Sequence, residues 1–175
     1  GALLAYSGKY TGRKPDWKKM VLDENTQNIW WGTVNNPISR NIFSKAKNIV
    51  NAYLFNTQRE LFCIDSYLNW NPFYKKKIRL YTRNPYHALF FKNMTIDSNK
   101  VFNTEDDIDL CIYDGGEIDF IPDDEYCEKG LIGFNFTAKE YVILGTNYAG
   151  EIKKGLLTYM MYKMPLINCL PLHSS

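Results

Sequence analysis

The stretch YVILGTNYAGEIKK, residues 141–154, combines an apolar strand pattern, a glycine-bounded turn and the start of a helix. Its first four residues form a short apolar run that is typical of a buried strand. The turn lies between Gly145 and Gly150, and the helical pattern follows directly. Such a turn favours anion binding, because unpaired N–H groups and the helix dipole both face the ligand. The stretch therefore predicts a strand–turn–helix unit with a candidate anion site.

The spacing of the two glycines matches that of a phosphate-binding P-loop, G-x-x-x-x-G-K-[ST], but the residues after it do not. Glu151 and Ile152 stand where the lysine and the serine or threonine are required. The sequence therefore argues against a P-loop in this turn.

Lys153 and Lys154 are predicted to lie in the first turn of the helix, where cations oppose the helix dipole at roughly 0.3–1 kcal/mol each. One interpretation is that both lysines are solvated and partly offset by Glu151. The other is that they meet an anionic substrate or a metal ion at this helix end. A lysine binds a metal only as the neutral amine, and a neighbouring ammonium and a helix N-terminus both favour that form.

Three segments have the apolar periodicity and end signals of helices. The first spans residues 39–56, with Ser39 as a candidate N-cap, and the second begins at Pro85 and runs through residue 91. The third spans residues 152–164. Its apolar face is predicted to consist of Leu156, Leu157, Met160, Met161 and Met164.

Six short apolar runs are typical of strands: 61–64, 78–81, 110–113, 118–121, 131–136 and 141–144. The sequence Asp114-Gly115-Gly116-Glu117 between the third and fourth runs predicts a hairpin turn. Strands and helices alternate along the chain, so we expect an α/β fold with a mixed β-sheet packed with helices.

The composition indicates a globular domain, because 175 residues with 45% hydrophobic side chains are ample for a core. The net charge of +2 creates no strong field for a polyanion. An alternative places single-stranded nucleic acid on Lys75–Lys77 beside Trp70, Phe73 and Tyr74. The simpler interpretation of these lysines is a solvated loop or a protected sheet edge.

No apolar run approaches the roughly 18 residues that span a bilayer, and the sequence starts without a signal-peptide pattern. The four cysteines, Cys63, Cys111, Cys127 and Cys169, include no CxxC pair and are expected to be reduced, buried thiols. We therefore expect a cytoplasmic protein without a membrane partner.

Neither histidine indicates a catalytic site by itself. His87 lies in an apolar helix pattern and is expected to be structural, and His173 lies near the end of the sequence, where exposure is expected. No Ser-His-Asp, Cys-His or paired-carboxylate arrangement is legible, and Asp106-Asp107 and Asp123-Asp124 are typical of exposed loop charges.

A series of motifs resembles, in order and spacing, the ATP-dependent phosphoenolpyruvate carboxykinase family. The match covers the whole chain and is weakest between about residues 97 and 140. The motifs are GAL and AYSGKYTGR in residues 1–13 with Pro15, IWWG at 29–32, PYHALF at 85–90 with Asn93-Met94, GT at 145–146, YAGE at 148–151, KKG at 153–155, Met164-Pro165 and LHSS at 172–175.

The resemblance implies decarboxylation of oxaloacetate and phosphorylation by ATP, which yield phosphoenolpyruvate, ADP and CO2 in gluconeogenesis. It implies that Arg13 and Tyr148 bind the substrate. It also implies that Lys153 and Lys154 are catalytic, with Lys154 contacting substrate and Mn²⁺. His173 corresponds to a second Mn²⁺ ligand that also lies at the nucleotide.

Some positions depart from the family pattern: Lys14, Asp16-Trp17, Asn69 and Lys129-Gly130-Leu131. The family's P-loop, its acidic metal ligand and a second substrate arginine lie beyond the part that matches. We therefore expect residues 1–175 to be the N-terminal, substrate-side domain of a two-domain enzyme. Mn²⁺ and the co-substrate Mg²⁺-ATP would need the C-terminal domain, and the 175-residue chain would be inactive alone. The alternative is a non-catalytic binding module derived from this domain. Homo-oligomers are possible in either case.

Overall fold

The computed structural model describes residues 2–55, 58–103, 107–119 and 130–173. The helices within these ranges are α1 (Arg40–Leu54), α2 (Pro85–Met94) and α3 (Gly150–Lys163). Short 3₁₀ turns cover Pro15–Trp17 and Pro165–Ile167. The strands are β1 (Lys18–Val21), β2 (Asn36–Ile38), β3 (Phe62–Leu68), β4 (Lys76–Thr82), β5 (Ile96–Asp97), β6 (Leu110–Gly116), β7 (Leu131–Asn135) and β8 (Glu140–Leu144).

The described strands form one mixed sheet in the order β2-β1-β7-β8-β6-β4-β3-β5. The central strands β4, β6 and β8 are mutually parallel, whereas β7 and β8 form an antiparallel hairpin. The carboxyl ends of β4, β6 and β8 therefore meet at one edge of the sheet. Residues that follow these three strands lie close together, which is where open α/β sheets place their functional groups.

The sheet is covered on both faces, and strand alternation distributes the core between them. On β8, Val142 and Leu144 pack in the cluster that includes Val50 of α1. Tyr141 and Ile143 pack in the opposite cluster, which includes Leu156 of α3. Because successive side chains of a strand point to opposite faces, one strand serves both cores. The α/β fold with a mixed sheet, predicted from the sequence, is confirmed.

Two of the predicted helices begin where the sequence signals placed them, α1 after Ser39 and α2 at Pro85. Ser39 accepts a hydrogen bond from Ile42 N–H at its side chain, and α1 starts at the next residue. Asn84 accepts N–H bonds from Tyr86 and His87, and Pro85 occupies the first position of α2. Side-chain caps of this kind satisfy N–H groups that the first helical turn leaves unpaired.

The hairpin predicted at residues 114–117 is wrong, because β6 continues through Asp114, Gly115 and Gly116. A side chain at Gly115 would place its Cβ 2.9 Å from Val50 Cγ2 and 3.2 Å from the Ile143 carbonyl oxygen. The glycine thus allows α1 to approach the sheet closely. Gly116 adopts a φ of +64° beside a register shift. Ile118 is not in a strand, and Phe120 and Ile121 lie outside the described residues.

The strands β1, β2 and β5 escaped prediction because they are short and carry few apolar residues. The edge strand β2 contains Pro37, which cannot donate a ladder hydrogen bond and is tolerated at an edge. Lys76 and Lys77, interpreted as a loop or a sheet edge, belong to β4, which lies between β6 and β3. The edge interpretation is therefore wrong.

The predicted helix at 152–164 is confirmed, but its buried face differs from the prediction. Leu156 is buried, whereas Met161 is 51% exposed. Tyr159 and Gly155 complete the face that packs on the sheet.

None of the described helices is long and apolar enough to cross a membrane. Of the cysteines, Cys111 is buried, Cys169 is partly exposed and Cys63 is exposed, so the prediction of a buried thiol is wrong for Cys63. Cys127 lies outside the described residues.

Candidate functional site

The turn between β8 and α3 is held by bonds to its own residues and to the end of β6. Gly145 has a φ of +94°, and its N–H donates to the Gly116 carbonyl at 2.7 Å. The N–H of Tyr148 donates to Thr146 Oγ1 at 3.1 Å. The N–H groups of Glu151 and Ile152 donate to the carbonyls of residues 148 and 149. Two amides of the first turn are therefore already paired, which weakens the prediction of an anion site made from the N-terminal amides alone.

Tyr148 folds back over the start of α3. A Cβ at Gly150 would lie 2.5 Å from two carbons of the Tyr148 ring. Only glycine therefore lets this ring pack so closely on the helix N-terminus. The half-buried Tyr148, a predicted substrate residue, is thus fixed beside the helix that carries both predicted catalytic lysines.

Glu151 joins the N-terminal loop to α3. Its carboxylate accepts a hydrogen bond from Lys14 N–H at 3.1 Å and lies 3.6 Å from Arg13 Nε. The Glu151 side chain is 2% exposed and that of Arg13 is 34% exposed. The guanidinium is therefore presented at the surface from a buried anchor. Glu151 thus holds Arg13 close to the start of α3, although Lys14 and Glu151 are 137 residues apart in the sequence.

Lys154 and His173 are brought together as well. Lys154 Nζ lies 3.1 Å from His173 Nε2. Two nitrogen ligands at right angles on one ion, each about 2.1 Å from it, would be about 3.0 Å apart. The spacing thus fits two ligands of one metal ion. No cluster of three or more His, Cys, Asp or Glu side chains suited to a metal occurs in the part of the chain that the structure describes.

Lys153 is exposed on α3, and the structure gives no contact that joins its ammonium to Arg13 or His173 among the described residues. Its placement next to Lys154 on the helix is all that links it to the site. Ser174 and Ser175, which end the last matching motif, lie outside the described residues.

Lys18 lies within electrostatic range of Arg13 and Glu151 and was not predicted from the sequence. Burial and then the nearby Arg13 lower the pKa of Lys18, and Glu151 opposes them. Its ammonium donates to Asn35 Oδ1 at 3.1 Å. Lys18 also lines an apolar cavity of about 440 Å³ against α3. A second cation near Arg13 could be found only from the fold, because β1 has no local motif.

His87 is structural in the sense predicted, since it is 1% exposed, but its contacts are polar. Nδ1 lies 2.6 Å from Asp114 Oδ2, and Nε2 lies 2.8 Å from the Asn147 carbonyl oxygen. The Asp114 partner was hidden by the wrong hairpin prediction. Burial lowers the pKa of His87, but Asp114 and the Asn147 carbonyl outweigh it, so the net pKa is raised.

The lysines proposed for nucleic acid make contacts within the chain. Lys76 and Lys77 lie 3.9 Å and 3.8 Å from carboxylate oxygens of Asp109 and Asp107 respectively. Lys75 lies over the Tyr67 ring, 4.8 Å from its centroid. Acidic neighbours therefore offset part of the charge on which that alternative depends.

Comparison with known proteins gives matches over the whole chain. The family model described as phosphoenolpyruvate carboxykinase matches residues 1–175. Proteins named phosphoenolpyruvate carboxykinase (ATP) are 40% identical in Neurospora crassa, 42% in Dictyostelium discoideum and 39% in Saccharomyces cerevisiae. Each alignment covers 100% of this chain but only 29%, 32% and 32% of the respective relative. The chain thus spans about a third of the length of these relatives, and it belongs to the phosphoenolpyruvate carboxykinase (ATP) family.

Proposed function

We propose that this chain forms the substrate side of an enzyme that converts oxaloacetate and ATP to phosphoenolpyruvate, ADP and CO2. The observation that carries the proposal is the 3.1 Å contact between Lys154 Nζ and His173 Nε2. The two residues are 19 positions apart and are the two that the family resemblance implies as metal ligands. Their convergence is expected for a metal site and has no evident role in the core, because His173 is exposed.

Arg13 and Tyr148 would bind the substrate. A guanidinium forms paired hydrogen bonds with a carboxylate, so Arg13 suits one carboxylate of oxaloacetate or the CO2 that leaves it. The Glu151 ion pair orients Arg13 without covering it. Tyr148, packed on Gly150, would contact the same substrate from the start of α3.

Lys153 and Lys154 would stabilise the negative charge that develops during the reaction. When the C–C bond to CO2 breaks, its electron pair remains on the substrate as an enolate. The enolate oxygen then forms a bond to the γ-phosphorus of ATP, and ADP leaves. Cations placed before the reaction lower the energy of both charged states without reorganising.

Lys154 and His173 would hold the Mn²⁺ ion, with His173 also near the nucleotide. A divalent cation held by these residues would supply Lewis-acid stabilisation of the developing negative charge. The donor set fits in type and spacing, provided that Lys154 binds as the neutral amine.

We further propose that residues 1–175 are the N-terminal domain and that ATP and the remaining metal ligand require a C-terminal nucleotide-binding domain. The relatives, about three times as long, support this division. The chain alone would then have no catalytic activity. A role in gluconeogenesis, a cytoplasmic location and homo-oligomers remain predictions.

The metal site can be tested on the chain itself, because it has only two histidines. We expect Mn²⁺ to broaden the NMR signals of His173 at concentrations that leave those of His87 unchanged. K154M should weaken this effect by about tenfold or more in Mn²⁺ concentration, by analogy with the loss of other metal-site residues. K163M, on the same helix, is the control and should leave it unchanged. Equal broadening in K154M and K163M would rule out a shared site.

Activity can be tested by joining residues 1–175 to the remaining two thirds of the Dictyostelium discoideum relative. We expect Mn²⁺-dependent decarboxylation of oxaloacetate by ATP, a higher KM for oxaloacetate in R13Q and a higher Mn²⁺ requirement in H173Q. A folded chimera that binds Mn²⁺ but has no activity would favour the non-catalytic binding module instead.

A further inference from the structure

The carboxyl ends of β4, β6 and β8 enclose a polar cluster that centres on His87 and includes neither Arg13 nor Lys154. Thr82 ends β4, Asp114 lies near the end of β6, and Asn147 lies in the turn after β8. All three contact either His87 or one another, and they line the wall of a cavity of about 340 Å³. The N-terminus of α2 places His87 among them.

Both ring nitrogens of His87 face hydrogen-bond acceptors. The Asn147 carbonyl, 2.8 Å from Nε2, can only accept. Asp114 Oδ2, 2.6 Å from Nδ1, already accepts a bond from Thr82 Oγ1 at 2.7 Å. Thr82 Oγ1 in turn accepts from Asn84 N–H, so its own proton is free for Asp114. A neutral imidazole has one N–H and can satisfy only one of the two acceptors.

Burial makes it costly to leave any of these groups unpaired. His87 is 1% exposed and Asp114 is 2% exposed. Asp114 Oδ1 has no hydrogen-bond partner among the described residues, so the carboxylate depends on what reaches Oδ2. A buried carboxylate without a counter-charge is strongly unfavourable. An imidazolium with a proton on each nitrogen satisfies both acceptors and neutralises Asp114.

The other ionisable groups near the pair do not replace this charge. Arg83, after β4, donates instead to the carbonyls of Tyr53, Glu60 and Leu54. Glu117, after β6, would add negative charge, and its carboxylate accepts two bonds from Lys9 N–H. The ring of Tyr86 packs against His87 with centroids 5.8 Å apart. On β8, the buried Tyr141 has a raised pKa, mainly through burial, with Glu151 and, to a smaller extent, Asp114 adding to it.

The contact to Asn147 connects His87 to both loops of the candidate site. Asn147 lies directly before Tyr148, and its side-chain oxygen accepts from Glu117 N–H at 2.9 Å. Glu117 holds Lys9 N–H, and Gly8, at a φ of +69°, packs on both Glu117 and Asn147. The same N-terminal segment is anchored again at Lys14, whose N–H donates to Glu151.

We propose that His87 is a positioning residue, held as an imidazolium between Asp114 and the Asn147 carbonyl, that fixes the turn bearing Tyr148 and the loop bearing Arg13. The assignment of those two residues to substrate rests on the proposed function, but the charge state of His87 and its hold on the turn do not. If the His87 ring lost one of its two protons, it could keep only one of its two hydrogen bonds. The bond to the charged Asp114 is the stronger one, so the Asn147 contact would be lost.

The direction of the pH effect follows from the raised pKa of His87. The pKa of an imidazole in the unfolded chain is about 6.5. The stabilisation by the pair is therefore complete below that pH and is lost as the pH rises through the folded-state pKa. In D114N the counter-charge is absent and burial favours the neutral ring. Stability should then be lost as the pH falls through about 6.5, which is the opposite slope.

The charge of the His87 ring can be tested by ¹H–¹⁵N NMR on a ¹⁵N-histidine-labelled chain. The H173Q variant assigns the signals of the two histidine rings. We expect both His87 nitrogens to carry protons at pH 7 and the amide signals of Asn147, Glu117 and Lys9 to follow the His87 titration. In D114N the His87 midpoint should fall by about one pH unit or more. A neutral His87 at pH 7, an unchanged midpoint in D114N, or amide signals that ignore the titration would each overturn the proposal.

Urea unfolding between pH 6 and 8 provides a second measurement that does not depend on assignments. Wild-type stability should decrease with pH, and D114N should show a flat or rising profile. If H87Q folds, its stability should no longer depend on pH over this range. If H87Q does not fold, the pH profile of D114N serves as the test. A wild-type profile that rises over this range would contradict the proposal. Because neither measurement uses activity, an inactive chimera would count against the proposed function without affecting this result.

Discussion

Glu151 occupies a position where a glutamate is expected to face solvent and to favour the helix dipole. Here its carboxylate is buried and used as an anchor for Arg13 and for the backbone of Lys14. A charge buried at 1% exposure is tolerated because both a cation and an N–H group reach it. The position of Arg13 thus depends on a residue to which the resemblance assigns no catalytic role.

Replacing this charge should loosen the N-terminal loop. We expect E151Q to lower the free energy of unfolding by about 1–2 kcal/mol, because a hydrogen bond and an ion pair to a charged group are weakened. Trypsin should cleave faster after Lys9 and Arg13. Urea unfolding and timed proteolysis measure the two effects.

The matched control is E140Q, which removes the carboxylate partner of Lys47 elsewhere on the sheet. It should leave cleavage after Lys9 and Arg13 unchanged. If E140Q and E151Q gave the same cleavage pattern, the anchoring role of Glu151 would be refuted.

At the scale of an element, α3 is positioned by its contact with β8. A Cβ at Gly155 would lie 2.2 Å from Tyr141 Cε1, and the Tyr141 hydroxyl donates to the Glu151 carbonyl at 3.0 Å. The helix therefore approaches the sheet as closely as a glycine allows. The close packing of α3 on β8 therefore fixes the position of Lys153 and Lys154 relative to the sheet.

We expect G155A to destabilise the protein by about 1–3 kcal/mol, because the added methyl must displace the helix or the buried ring. The effect should appear even though alanine favours a helix by about 1 kcal/mol over glycine. Thermal or urea unfolding measures the change. M161A, on the exposed side of the same helix, should have little effect. Stabilisation by G155A would show that the contact is looser than described.

On the scale of the whole molecule, the β7–β8 hairpin joins the two halves of the sheet. In the sheet formed by the described residues, β1 and β2 are linked to the remaining strands through β7. Phe134 of β7 stacks on Tyr141 of β8, with ring centroids 4.2 Å apart, and is fully buried. The contact between Phe134 and Tyr141 therefore links the packing of the two halves of the sheet.

F134A should lower the free energy of unfolding by about 3–5 kcal/mol, since truncating a buried phenylalanine leaves a cavity. We expect tryptophan fluorescence and circular dichroism to report the same midpoint, because both halves should unfold together. F73A, at a side chain that is 90% exposed, is the matched control. Two separate transitions in F134A would mean that the halves fold independently.

Local sequence patterns predicted much of the secondary structure. Ser39 and Pro85 marked helix starts because capping and proline geometry act within one turn of the chain. The prediction of a hairpin at residues 114–117 was wrong because an Asp-Gly-Gly sequence occurs in two settings. Glycines are favoured in a tight turn, and they are also favoured where another element packs closely on a strand. Only the position of Val50 over Gly115 distinguishes them.

The sequence by itself determined the fold class, the family and the identity of the candidate site residues, because these depend on local periodicity and on ordered motifs. The tertiary structure decided which residues meet: Lys154 with His173, Arg13 with Glu151, and His87 with Asp114. Each pair joins positions that are distant along the chain. Such contacts depend on sheet order and helix packing, and no local pattern encodes the burial that gives Glu151, His87 and Asp114 their roles.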